Sequence, residues 1–402
     1  MVEQLSNQKS WKPLGGLIYF IGAFALLLIS GMTLNRYLGM IGLVLSQLLF
    51  LAYAIGVTKL HKTPLKEVFP VKMISVKEFF GTVIFAVGAI LANIGLAGLG
   101  MVLFPQGMEN VQATTDFLYG NGLPPMLIVF IVSLTPAICE EALMRGAFLS
   151  HFRGLKNEWA VMAIVGVGFG LLHTSTIKFL STGFLGFILA YVLIKKKNIV
   201  LCSMIHFLNN FLSSLVGVLS ASQSTDVAAD KVSQVSSISV VQGLSTFFMM
   251  AAFSFCLLLL GAIIMGLTEN SGKKWIIAVV STVVFFGAAM GLSLYDSMTN
   301  SVASFSSTVS VTEEGIPLEF NIPEDGDYII VMSTVLDKGS AHIEVTDDNG
   351  QLVTSDHVEK GMGVVNQTVT MSAGKHYVTL KSPSSSDNGT AQVQVQIRNV
   401  AS

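Results

Sequence analysis

Long apolar runs fill the first three quarters of the chain. Nine of them, 17–34, 39–57, 79–104, 123–150, 159–177, 180–194, 199–218, 240–267 and 275–295, read as helices able to cross a bilayer, whose hydrocarbon core takes about 20 apolar residues. Near residue 300 the writing changes from continuous apolar sequence to alternation, the period of a half-buried strand. Ile316 to Ile322, Tyr328 to Thr334, Ala341 to Thr346, Gly363 to Met371, Tyr377 to Leu380 and Ala391 to Ile397 read as strands, with Gly326-Asp327, Asn349-Gly350 and Asn388-Gly389 as turns. The pattern predicts a polytopic α-helical membrane bundle of about eight or nine spans, then a small all-β antiparallel sandwich. Four parts follow: membrane spans in 1–74, a helical core in 75–220, further spans in 221–298 and an extracytoplasmic β module in 303–402.

Composition agrees with lipid as the main solvent. The chain is 52% hydrophobic and only 12% charged, with a mean hydropathy of +0.67, against roughly 25% charged residues in a soluble domain. The net charge of -2 offers no basic surface for nucleic acid. Under the nine-span count, Lys9, Lys12, the five lysines of 59–77, Arg153, Lys156, Lys195 to Lys197, Lys273 and Lys274 share one side. Only Arg36, Lys178 and Lys231 fall opposite. The positive-inside rule then puts the N-terminus in the cytoplasm and the β module outside a cell membrane.

Within the apolar spans stand three polar clusters: Glu140, Glu141 and Arg145; His173; and His206 with Asn210. Ionisable groups in hydrocarbon normally face a bundle interior and mark functional sites. Glu141 and Arg145, four apart, share a helix face, while Glu140 points about 100° away. A buried Glu140 suits a general base. The same spacing puts His206 and Asn210 on one face, and the glycines of 166–170 admit a close neighbour beside Phe169 and His173. Two histidines can hold a metal, orient a water or stabilise an oxyanion, and an asparagine amide is a natural oxyanion donor. In the β module, His342, His357 and His376 read as a solvated surface in preference to a metal site.

Glu140-Glu141-x-x-x-Arg145, Phe169-x-x-x-His173 and His206-x-x-x-Asn210, in that order and all on expected helices, resemble the motifs of the CAAX-protease and bacteriocin-processing family of intramembrane proteases. The resemblance covers roughly 75–220. It implies a peptidase in which Glu140 activates water with help from His173, His206 and Asn210 stabilise the oxyanion, and Glu141 and Arg145 set the helix geometry. It admits zinc on Glu140, His173 and His206, or a metal-free glutamate mechanism. The partner it implies is a membrane-associated protein or peptide. The β module looks like the jelly-roll modules appended to bacterial surface peptidases. The competing expectation is a non-catalytic transporter or scaffold, and the oligomeric state stays open.

Overall fold

The computed structural model describes residues 11–107, 114, 117–118, 123–222, 240–385 and 388–400. Lys9 and Lys231 of the charge count lie outside them. Nine main helices are seen among the described residues: α1 (Pro13–Ser30), α2 (Arg36–Leu60), α3 (Val76–Leu103), α4 (Pro125–Glu141), α5 (Glu158–Leu172), α6 (Thr176–Lys196), α7 (Ile199–Ser222), α8 (Val240–Ile264) and α9 (Gly272–Asn300). Among the described residues seven helical stretches are long and apolar enough to span a membrane, one of them the 48 residues from Pro13 to Leu60. That stretch is a hairpin. Gly39 turns it with a φ of 54°, and the Tyr53 hydroxyl of α2 donates to the Tyr19 carbonyl of α1 at 3.1 Å.

One expected boundary moves. The runs 159–177 and 180–194 part at His173, several residues early, so α5 is short and α6 long. Thr174 takes a φ of 50°, which ends α5, and the Ser175 hydroxyl accepts from the Lys178 N–H to cap α6. Lys178, expected in a loop, therefore stands in the first turn of α6.

Polarity runs inside out, as lipid requires. Leu17, Ile18 and Ile21 on α1 and Ile276, Ile277, Val280, Val283 and Val284 on α9 are exposed, whereas Thr58, Thr82, Ser133, Glu141, Arg145 and His206 are buried. Lipid tails are as apolar as leucine, so helices are held by close packing and not by hydrophobic burial. Gly81, Gly88 and Gly95 of α3 line up one heptad apart against α8, and a Cβ on Gly88 would sit 2.8 Å from the Leu258 nitrogen. Ser254 of α8 seals this seam by donating to the Gly88 carbonyl at 2.9 Å. The expected close approach at 166–170 is equally tight: a Cβ on Gly170 would meet the Phe179 carbonyl of α6 at 2.9 Å.

The chain divides into two compact units, the second running through the C-terminal strands from Gly291. Its strands are β1 (Ser301–Val311), β2 (Pro317–Ile322), β3 (Gly326–Asp347), β4 (Leu352–Met371), β5 (Gly374–Lys381) and β6 (Gly389–Asn399). The pairings between these strands are antiparallel, in the order β1-β6-β3-β5-β2 with β4 also on β3. They form a single, nearly barrel-like sheet, with one further isolated, parallel bridge from Thr312 to Lys381. Tyr328 to Thr334 and Ala341 to Thr346 are two halves of β3, joined through an irregularity between Leu336 and Ser340, and Gly326-Asp327 starts that strand and is not a turn. The inward residues Val309, Ile330, Ile343, Val378, Val393 and Val395 belong to this unit's own core. His342 and His357 pair across β3 and β4 on the exposed face, while His376 is buried against Phe320.

Candidate active site

The site is built on two departures from a regular helix in α4. Pro136 has no N–H, so the Val132 carbonyl one turn back loses its helical donor; Asn210 of α7 donates to it at 3.4 Å instead. After Glu141 the helix widens into a π-helical stretch, Ala142–Phe148. Such stretches are frequent at functional sites. Here the Leu143 carbonyl accepts from the Tyr19 hydroxyl at 3.1 Å.

Glu141 and Arg145 meet as the helical spacing predicts, at 3.0 Å and both fully buried. The contact has ion-pair distance without hydrogen-bond alignment. Arg145 gains a second partner in the Phe169 ring, its Cζ lying 4.3 Å from the centroid, which offsets part of the cost of burying a cation. Glu141 also does something not expected: its Oε1 lies 2.8 Å from His206 Nδ1. An ionised carboxylate only accepts, so the shared proton sits on Nδ1. His206 is thereby fixed in orientation.

Glu140 faces the other way and is only partly covered, its side chain 16% exposed. Gln47 of α2 donates to its Oε1 at 2.9 Å. The other oxygen, Oε2, lies 4.0 Å from His206 Nε2. His173, the residue closing α5, has Nδ1 2.9 Å from the Phe169 carbonyl, which puts the proton on Nδ1 and leaves Nε2 with its lone pair. Phe169 stands edge-on between the two histidines, 4.8 Å from the His173 ring and 5.6 Å from that of His206. His173 is within Coulomb range of both Glu140 and His206.

Asn210 is oriented by a row of amides. Asn93 of α3 donates to Asn209 at 2.8 Å, and Asn209 donates to Asn210 Oδ1 at 3.2 Å. That fixes which end of Asn210 is the NH2, one of whose two hydrogens stays free beyond Val132.

Six of the seven residues singled out in the sequence, Glu140, Glu141, Arg145, Phe169, His173 and His206, are joined by these contacts, and Asn210 stands one turn beyond His206 on α7. Three more were missed: Gln47, Asn93 and Asn209. A signal existed, since Gln47 and Asn93 are lone amides in otherwise apolar runs. Among the described residues no group of three or more His, Cys, Asp or Glu is placed to hold a metal. The Nδ1 atoms of His206 and His173 are taken by Glu141 and the Phe169 carbonyl, which leaves the Nε2 atom of each for a reacting group or a ligand.

Residues 122–212 match a family described as Rce1-like, type II CAAX prenyl endopeptidase Rce1-like. No curated protein matches the chain. Among solved structures, a carbohydrate-binding module (CBM6cm-2) of Cellvibrio mixtus lichenase 5A, solved with cellotriose, is 15% identical, with 26% of this chain and 92% of that one covered and a TM-score of 0.18. An arabinose-bound MgGH51 α-L-arabinofuranosidase is 9% identical over 24% of this chain and 17% of its own, with a TM-score of 0.15. At those scores neither likeness bears on this protein. The motifs, in order on α4, α5 and α7, and the match over the same segment agree: residues 122–212 of this multi-pass membrane chain are similar to the Rce1-like type II CAAX prenyl endopeptidases.

Proposed function

We propose that the chain is an intramembrane endopeptidase that hydrolyses peptide bonds of membrane-associated proteins or peptides by a water-activating, metal-free glutamate mechanism. The observation that carries this is the facing pair, Glu140 Oε2 and His206 Nε2, 4.0 Å apart, each held from behind by Gln47 and Glu141. An oxygen with hydrogen-bond contacts of about 2.8 Å to both groups fits that gap.

Glu140 takes a proton from the water as its oxygen bonds to the scissile carbonyl carbon, with His173 Nε2 accepting the second water hydrogen to aim it. The carbonyl π electrons move to oxygen. With its Nδ1–H held by Glu141, His206 acts as the imidazolium, and its Nε2–H together with the free Asn210 N–H stabilises that oxyanion. As the oxyanion's electron pair re-forms the carbonyl and the C–N bond breaks, protonated Glu140 gives its proton to the leaving amine, so a carboxylic acid and an amine are released and the Glu140 carboxylate is restored. Glu141 and Arg145 touch no reacting atom and keep His206 and Phe169 in place. A groove of about 320 Å³ lined by Gly170, Leu171, Thr174, Ser175, Thr176 and Phe179 opens at the α5–α6 break beside His173, a route for an extended peptide.

The test is a search for new protein termini in membranes incubated with purified protein. Termini that appear with wild type, persist after exhaustive metal chelation and vanish with His206→Ala support the proposal. Termini lost on chelation and restored by zinc contradict the metal-free step.

A further inference from the structure

The hairpin α1–α2 lies outside the matched segment, yet it reaches the site at two points. Gln47, midway along α2 and 6% exposed, donates to the Glu140 carboxylate at 2.9 Å. Its own carbonyl oxygen is buried without a hydrogen-bond partner. Tyr19 of α1 donates to the Leu143 carbonyl, three residues beyond Glu140. Tyr53 of α2 steadies Tyr19, with ring centroids 4.8 Å apart and its hydroxyl on the Tyr19 backbone.

A hairpin serving only as an anchor needs none of this. Helix pairs in lipid hold together by close packing, and a buried amide with an unmet acceptor is destabilising. We infer that the N-terminal hairpin is part of the catalytic unit, with Gln47 the positioning residue for Glu140. Because the Gln47 amide occupies Oε1, Oε2 stays turned toward His206 and free to take the proton of water. The unmet Gln47 oxygen accepts from a water or substrate N–H arriving beside Glu140. This inference rests on the proposed hydrolytic role of Glu140.

Gln47→Met keeps the volume and removes both polar atoms. In nanodiscs it is expected to unfold within a few degrees of wild type and to keep KM within about two-fold, while kcat falls about ten-fold or more. Gln47→Asn, which draws the amide back by one methylene, is expected to give the same kcat loss and covers the case in which the Met variant fails to fold. Unchanged kcat in either folded variant, with cleavage still abolished by Glu140→Gln, overturns the inference and leaves the protease assignment standing. A second readout does not need turnover: the infrared carboxylate band present in wild type and missing in Glu140→Gln. That band is expected to shift in Gln47→Met, and a band that stays put overturns the inference even where wild type cleaves nothing.

Discussion

At the residue scale the site is a set of commitments made behind the reacting atoms. Glu141 serves both Arg145 and His206, so its loss strands a fully buried cation and frees the imidazole. Removing one partner of a buried ion pair costs about 3–5 kcal/mol, and Glu141→Ala is expected to lower the thermal midpoint sharply in detergent. Asn93 is a different case, since it acts on Asn210 through Asn209. Losing one neutral hydrogen bond of about 1 kcal/mol corresponds to about a five-fold loss of rate. Asn93→Leu should therefore lower kcat about that much with KM nearly unchanged; a rise in KM alone would contradict an orienting role. The Glu141–Arg145 contact was legible because it lies within one helix, where spacing fixes proximity. The Glu141–His206 bond was not, because it joins helices 65 residues apart in sequence and no periodicity encodes which faces meet.

At the element scale, the irregularities position the chemistry. Pro136 and the π-helical stretch each free or displace a carbonyl, and Asn210 and Tyr19 take them up. The α5–α6 boundary was misplaced because 159–194 is nearly uniformly apolar, while the decisive signal, Thr174-Ser175-Thr176, is one short capping motif. Gly186 shows how that packing reaches the site: a Cβ there would lie 2.8 Å from that of Phe169 and 2.9 Å from the Gly166 Cα. Overpacking of this kind costs about 1–3 kcal/mol, and Gly186→Val is expected to lower both the thermal midpoint and cleavage by displacing the ring between the histidines. In the β unit the whole of β1 and the first half of β4 escaped the sequence. The serine-rich β1 and the charged first half of β4 alternate less visibly than the valine-rich strands. There Thr390 donates to Asp337 from both its N–H and its hydroxyl, at 2.7 and 2.6 Å, and holds that carboxyl below its ordinary range. Stability from a lowered carboxyl is present above its unfolded value and lost as pH falls through the folded one. In Thr390→Val, NMR titration of Asp337 should move its midpoint upward, and an unmoved midpoint would contradict the assignment.

At the scale of the whole molecule, lysine placement predicts the orientation. With single cysteines in a cysteine-free background, Lys62→Cys should react only from the cytoplasmic side and Asp348→Cys only from outside; the reverse pattern would invert the topology. The central claim concerns Glu140 itself, the carboxylate steadied by Gln47 and facing His206. Its most direct test is turnover of one identified peptide by purified protein in nanodiscs, wild type against Glu140→Gln, with equal folding verified by thermal unfolding. The account predicts that Glu140→Gln loses about 100-fold or more in kcat, whereas turnover within a few-fold of wild type would show that Glu140 is not the base.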